Sequence, residues 1–367
     1  MKILVIGYST RYIVCSAKRA GYKVFSLDCF GDVDLRQCAY SSFLFEDPIS
    51  ADIESIIRDY IMDYGIDVIV LGSGFERVKP PRGCRVLNND FEIMKKVTNK
   101  EWLMKKLDFL GIPHPITYND LTEINNYPVL IKPRYGGGGM YNTLIYNKED
   151  QRVINKDVII QDYITGTPAS VSVISTKDDA VAIASNEQLI GAPKYQFAYA
   201  GNITPLDIKQ KDLQKHIQET AVQLISELKL IGYNGVDFII NKEGFFVIEV
   251  NPRLTGSLDT IELATDMNVF DMHVRAFNGE LRPSTKIKRY AAKKIIYATK
   301  DLIINTDFTK FAKPKSAYLV DISPIGSAIK GGDPITTVLG TGANRREVMQ
   351  TIRKLELGIK KELVIKR

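Results

Sequence analysis

The chain has little of what histidine and cysteine chemistry needs: three His and four Cys in 367 residues. His114, His216 and His273 are far apart in sequence, so a zinc site or a histidine-based triad has few parts to draw on. Cys15, Cys29, Cys38 and Cys84 show no CxxC spacing. The opening Met1–Gly7 reads as a strand running into a glycine turn, too short for a signal-peptide core and without a small-residue cleavage pattern. The thiols are therefore expected to be reduced, in a cytoplasm. No apolar run approaches membrane-spanning length. Charge of one sign is also scarce. The net +6 is spread out, and the lysine pairs at 95–96, 105–106 and 360–361 stand near acids. A nucleic-acid surface needs a denser basic stripe, whereas anionic small substrates are enough to explain the bias. Repeats, low-complexity segments and long linkers are missing too.

What is there is an ordinary globular balance, 45% hydrophobic and 25% charged, long enough for two or three domains. Strand-like residues 2–6 and 23–27 enclose a helical 10–20. A helix over 51–64 and the apolar strand Val68–Leu71 follow, with its Gly72-Ser73-Gly74 turn. This alternation predicts a doubly wound parallel sheet over residues 1–95. Gly7-Tyr8-Ser9-Thr10-Arg11 lacks the full GxGxxG fingerprint, so an oxidoreductase reading rests on the βαβ start alone. Asp28 stands where a ribose-binding acid would, but it and Gly7 could equally just end strands.

A second unit, 96–285, opens with a capping box in which Thr98 caps a helix and Glu101 reaches back. The helix ends near Leu110, with Gly111 as its stop. Strands are expected at 128–132, 158–163, 169–175 and 180–186, a helix at 209–229 and a packed helix at 259–278. Residues 286–367 read as a small β-rich closing domain, with strands at 291–298, 317–322 and 335–340 and a helix at 344–359.

The chemistry centres on Val236–Ile240 and Phe245–Val250, two strands rich in β-branched and aromatic residues. A three-residue loop, Lys242-Glu243-Gly244, would pair Asn241 with Phe245 and hence Asp237 with Glu249. Asp237, Glu249 and Asn251 would then share one face beside Arg253. Two carboxylates and an amide oxygen suit Mg²⁺ carrying substrate phosphates. A two-residue loop would send Asp237 to the other face, and a solvated edge hairpin is the plain alternative. Upstream, Lys132 ends an apolar strand and is followed by Gly136, Gly137, Gly138 and Gly139. Such a glycine run allows close backbone approach and an anion-binding nest, or simply a flexible hairpin tip. Lys100 lies in the first turn of its helix. The segment Gln161-Asp162-Tyr163-Ile164 reads as a linker strand.

In this order the pieces resemble the ATP-grasp superfamily over residues 1–340. The resemblance rests on Thr98-Asn99-Lys100, Ile131-Lys132-Pro133 with the glycine loop, Gln161 to Gly166, Gly235-Val236-Asp237 and Glu249 to Arg253. It is nearest to archaeal predicted ATP-dependent carboligases related to biotin carboxylase. Residues 333–338 are similar to that branch's closing domain. The resemblance implies an N-terminal parallel-sheet domain, a two-lobed ATP-grasp unit and a β-rich C-terminal domain. Lys100 and Lys132 would hold ATP phosphates under Gly136–Gly139, and Asp162, Tyr163 and Ile164 would flank adenine. Asp237, Glu249 and Asn251 would hold Mg²⁺ (or Mn²⁺), with Arg253 and Lys132 catalytic. The implied reaction joins a carboxylate to an amine or thiol through an acylphosphate, releasing ADP and phosphate. Carboxylation of bicarbonate and a non-catalytic nucleotide-binding role are the alternatives. A homodimer is one expected assembly; a nucleic-acid or membrane partner is not expected. Many relatives carry a ribose-binding glutamate just after the linker glycine, and Gly166–Ser170 has none. Glu187 ends a strand with no assigned role, and Phe197–Asn202 suits part of an acceptor pocket. Arg11 and Glu76, in turns at strand ends, are the expected acceptor contacts. No lysine sits in a biotin-attachment context, which excludes a complete biotin-dependent carboxylase on this one chain.

Overall fold

The computed structural model describes residues 1–45, 53–81, 83–118, 120–150, 157–281, 286–312 and 316–365. The first two residues of the helix expected at 51–64, and residues 282–285 beside the expected break at 286, lie outside the described residues.

Strands β1 (Lys2–Ile6), β2 (Lys23–Asp28), β3 (Ser41–Leu44), β4 (Val68–Leu71) and β5 (Arg85–Val86) form a parallel sheet in the order β3-β2-β1-β4-β5. Helices α1 (Arg11–Arg19), α2 (Val33–Cys38) and α3 (Ile53–Tyr64) run between them. Ile3 and Val5 pack with α1, and Leu4 and Ile6 with α3, so β1 is buried on both faces and reads as one apolar run. The chain leaves β1 toward β2 on one side and later adds β4 on the other. A crevice therefore opens at the carboxyl ends of β1 and β4, where a Cβ on Gly7 would sit 3.4 Å from Gly72 Cα.

Helices α4 (Phe91–Val97) and α5 (Lys100–Leu110) follow. The cap of α5 is Asn99, whose side chain accepts from Glu101 N–H and Trp102 N–H, not the expected Thr98. Thr98 belongs to the end of α4, donating to Met94 O, and Glu101 pairs with Arg134 instead of reaching back. Gly111 ends the helix at φ +64°, as expected. A small antiparallel sheet comprises β6 (Thr117–Tyr118), β7 (Val129–Pro133), β8 (Thr143–Ile145) and β9 (Val158–Asp162), in the order β6-β9-β7-β8.

The large sheet runs β14-β13-β10-β11-β12-β15-β19-β17. Its strands are β10 (Thr167–Ser175), β11 (Ala180–Ile190), β12 (Tyr199–Thr204), β13 (Gly232–Asn241), β14 (Gly244–Asn251), β15 (Tyr290–Tyr297), β17 (Ala317–Val320) and β19 (Pro334–Gly342). Strands from the last segment thus continue the sheet that carries the hairpin; β16 (Leu302–Ile303) and β18 (Ala328–Ile329) pair separately. Helix α6 (Lys211–Glu227) and α5 cover one face, burying Val171, Val236, Phe238 and Val250. The other face carries Ser170, Asn186, Asn202 and Thr204, all buried and polar. The helix expected over 259–278 is two, α7 (Leu258–Thr265) and α8 (Val269–Ala276), because Asp266 turns left-handed at φ +59° and Asn268 caps a new helix. The chain closes with α9 (Arg345–Ile365).

The expectation of four reduced thiols is not met: Cys15 and Cys38 form a disulfide. They are separated by 23 residues, with no local signature, and only the packing of α1 on α2 brings their Cα atoms to 5.2 Å. Cys29 and Cys84 are not disulfide-bonded.

His273 of α8 bolts the large sheet to the N-terminal unit. Its Nδ1 accepts Tyr233 N–H at 2.9 Å, which makes Nε2 the protonated nitrogen donating to Leu87 O at 2.9 Å. Burial lowers its pKa to about 4. The folded state therefore favours neutral His273, and the stabilisation is full above about pH 6.5 and lost as pH falls toward 4. Between pH 7 and pH 4.5, urea unfolding of the native protein should lose about 2 kcal/mol more than that of His273→Gln; equal losses would contradict the assignment.

Candidate functional site

The hairpin closes differently from the expected three-residue loop. Asn241 pairs with Gly244, leaving a two-residue loop, Lys242-Glu243, and Asn241 Oδ1 accepts Glu243 N–H at 2.8 Å as the turn's local support. By itself this places Asp237 opposite Ile248. The register shifts between Phe238 and Asp237, however. Phe238 pairs with Val247 and Asp237 with Glu249, so Ile248 is the extra residue of a β-bulge. Loop and bulge together give the same parity as a three-residue loop. They also let Val247 and Val250, three residues apart, both face the core while Glu249 and Asn251 face away from it.

Asp237 accepts from Gln188 Nε2 at 3.0 Å and from Asn251 Nδ2 at 3.1 Å. Arg253 donates from Nη2 to Asn251 Oδ1 at 3.2 Å, from Nη1 to Leu254 O, and from Nε to Glu76. Burial, then the neighbouring Glu249 charge, push the Asp237 carboxyl up to about 7. Burial works against the Arg253 charge, but Glu76, Tyr12 and Glu249 together outweigh it and leave the pKa raised.

Across from the hairpin, Lys132 is 3% exposed, and burial, then the Lys100 charge, lower its pKa to about 8 against the pull of Glu249. Lys100 Nζ lies 3.9 Å from Glu249 Oε1 and donates to Gly136 O. The glycine loop lies over these groups. A Cβ on Gly137 would be 3.5 Å from Glu249 Oε1 and 3.7 Å from Arg253 Nη2. Gly138 O accepts Tyr199 N–H at 3.0 Å, and Gly139, at φ +70°, lies so close to Phe197 that a Cβ would come within 2.0 Å of its carbonyl oxygen. Lys100, Lys132, Gly136–Gly139, Asp237, Glu249, Asn251, Arg253 and Glu76 thus converge.

The linker is built on β9. Asp162 turns to the far side of the small sheet, accepting Tyr118 O–H at 2.7 Å, and its N–H donates to Ile116 O. Tyr163 N–H donates to Pro128 O, and the Tyr163 ring meets Phe197 edge-on at 6.0 Å. Sequence reasoning places Gln161 in the linker strand but assigns it no contact of its own. Register places it with Leu130, Ile159 and Lys132 on one face of the small sheet. It is fully buried, Nε2 donates to Thr117 Oγ1 at 2.9 Å, and Oε1 has no partner among the described residues. A glutamine in an apolar strand was the signal available. Gln188, which holds Asp237, was also missed; nothing local marks it.

Other candidates lie elsewhere. Arg11 is 3% exposed and bound to Asp259 and Asp321. Glu187 takes a bidentate pair from Arg345 at 2.6 and 2.7 Å. Asp28 is saturated by Thr10 N–H and Oγ1–H and by the Phe30 and Gly31 amides, so it shapes the turn after β2. Among the described residues no three His, Cys, Asp or Glu side chains cluster as a metal site; the hairpin offers two carboxylates and an amide. Among those residues no helix is long and apolar enough to cross a membrane.

Gly139→Ala should unseat the loop from Phe197. Amide hydrogen exchange over 136–141 should rise about tenfold or more while the β1 and β4 amides stay protected; unchanged exchange would show that the close approach does not hold the loop.

Residues 97–257 match the family described as ATP-grasp domain. An uncharacterized protein of Methanocaldococcus jannaschii is 28% identical over 361 residues, covering 92% of this chain and 88% of that protein. The fold is that of biotin carboxylase from Campylobacter jejuni, solved as its β-γ-ATP complex: TM-score 0.78, 15% identity, 95% of this chain and 89% of that one. N5-carboxyaminoimidazole ribonucleotide synthetase from Thermotoga maritima superposes with TM-score 0.71 at 19% identity, over 97% of both chains.

Proposed function

We propose that this chain, which carries an ATP-grasp domain, is an ADP-forming ligase that joins a carboxylate to an amine or thiol using ATP and Mg²⁺ (or Mn²⁺). The observation that carries the reading is the convergence of Lys100, Lys132 and the glycine loop on the Asp237–Glu249–Asn251–Arg253 face. The donor set fits a hard divalent cation. Burial, then the Glu249 charge, raise the Asp237 pKa to about 7, and a cation held by the two carboxylates with Asn251 would offset both. When bound, Mg²⁺ supplies charge neutralisation of the phosphates.

The chain's own residues position and neutralise. Lys132 and Lys100 meet the phosphate oxygens, and the Gly136–Gly139 amides close over them, which requires Lys100 to leave Gly136 O. The substrate carboxylate oxygen attacks the γ-phosphorus, the bond to the β–γ bridging oxygen breaks, and ADP departs. The nucleophile then attacks the acyl carbon, the carbon–oxygen bond to phosphate breaks, and the nucleophile loses its proton. Arg253 orients the oxyanions through its planar fork. Positioning and charge neutralisation make up most of such catalysis, consistent with the few histidines and cysteines. With the Asp162 and Tyr163 amides engaged, Ile164 N–H is the linker donor for a purine edge, and Gln161 Oε1 is an acceptor for an exocyclic amine, which favours adenine over guanine. Ribose recognition has no acid after Gly166. Three domains, 1–95, 96–285 and 286–367, a homodimer and a cytoplasmic setting complete the reading.

The fold shared with biotin carboxylase and N5-carboxyaminoimidazole ribonucleotide synthetase supports a second reading, carboxylation through carboxyphosphate. Incubation with ATP, Mg²⁺ and pooled acids and amines should yield ADP and phosphate. ADP formed with bicarbonate and no other acid would favour carboxylation, and AMP with pyrophosphate would rule out an acylphosphate. Glu249→Gln should lower turnover by about a hundredfold or more with the fold intact; near-native activity would remove Glu249 from the site. Gln161→Leu should reduce the preference for ATP over GTP in steady-state kinetics.

A further inference from the structure

Helix α2 forms the seam between the N-terminal sheet and the last segment of the chain. Val33 N–H donates to Ile322 O at 2.9 Å, and the Asp34 carboxylate accepts Asp321 N–H at 3.0 Å and Ile322 N–H at 2.9 Å. Arg11 of α1 reaches the same place, 2.7 Å from Asp321 Oδ1 and 3.6 Å from Asp34 Oδ2. Asp321 sits at φ +51°, a left-handed backbone that the surrounding contacts must hold. The seam is acidic. Asp32 is 4% exposed, its Oδ2 has no partner among the described residues, and Asp321, Asp28 and Asp34 all act on it, with Arg11 opposing. The carboxylates around Asp32 therefore oppose the hydrogen bonds and the Arg11 contacts that hold α2 to the segment it docks. A covalent restraint adds to those contacts. Cys38 is the last residue of α2, and its disulfide partner Cys15 lies one turn beyond Arg11 on α1. Cys15 Sγ is 3.9 Å from Asp34 O, so the bond abuts the residue that caps the seam.

We propose that the Cys15–Cys38 disulfide is a redox-sensitive latch that keeps α2 docked against residues 320–322, and that an external dithiol opens it. Cys15 is 7% exposed and Cys38 less buried, so attack falls on Cys38. A thiolate of the dithiol bonds to Cys38 Sγ, the sulfur–sulfur bond breaks, and Cys15 leaves as a thiolate that takes up a proton. The second thiol of the reductant then displaces Cys38 and closes the reductant's own disulfide, so two electrons pass to the protein. Release of α2 loosens Asp321 beside Arg11. Arg11 also binds Asp259, whose other partner Lys293 donates to Gly256 O, three residues past Arg253. The latch is thus linked by direct contacts to the loop that carries Arg253.

The test uses the full chain, air-oxidised or treated with dithiothreitol. Thiol titration under denaturing conditions should find two titratable thiols before reduction, those of Cys29 and Cys84, and four after. Amide exchange over 33–38 and 319–322 should rise about tenfold on reduction and recover on reoxidation, with β1 and β4 unchanged. The double variant Cys15→Ser/Cys38→Ser should exchange like the reduced protein and ignore dithiothreitol. Four free thiols before reduction, or equal exchange at 319–322 in both states, would overturn the latch. If the double variant does not fold, the oxidised and reduced native protein decide the matter by themselves.

Discussion

Arg11 and Asp259 form a bidentate pair at 2.8 and 2.6 Å in the interior, 3% and 5% exposed, and three parts of the chain hang on it. Arg11 comes from the helix after β1, Asp259 from the helix after the hairpin, and Lys293, on β15 of the closing segment, completes the set 3.2 Å from Asp259. Burial works against the Asp259 charge, but Arg11 and then Lys293 outweigh it and hold the carboxyl well below the ordinary range. Two charges taken out of water are tolerated only when geometry and further hydrogen bonds compensate, and removal of one partner leaves the other stranded. The cluster therefore fixes how the units meet, and the cleft between them follows from that.

The site obeys a related balance with opposite emphasis. Its anions and cations face each other without saturating each other. Glu249 is 3.9 Å from Lys100, Asp237 accepts from the Gln188 and Asn251 amides, and Lys132 is buried beside another lysine. Arg253 is the exception, tied to Glu76 across the crevice. Charges left partly uncompensated in a cleft mark a candidate functional site. The glycine loop, seated on Phe197 and Tyr199, closes the cleft.

Much of the architecture could be read from local pattern. The parallel opening, the Gly111 stop and the apolar strands are set by neighbouring residues and were expected close to where they occur. What was misread depended on partners distant in sequence. Thr98 and Asn99 are both good caps, and the choice between them was made by the end of α4. The hairpin parity was right for the wrong reason, because the bulge at Ile248 depends on which of Val247, Ile248 and Val250 the core accepts. Gln188, 49 residues from Asp237, had no signal at all.

By itself, the sequence determined the succession of strands and helices and the residue types able to hold phosphate and a divalent cation, because these follow from periodicity, turn chemistry and side-chain valence. Tertiary structure alone decided that Arg11 pairs with Asp259 and Asp321, that Glu76 reaches Arg253, that Glu187 binds Arg345 and that Cys15 meets Cys38. Each of these is a pairing across the fold. A charge or a thiol takes its role from the partner that folding brings within a few ångströms, and that partner leaves no mark on the local sequence.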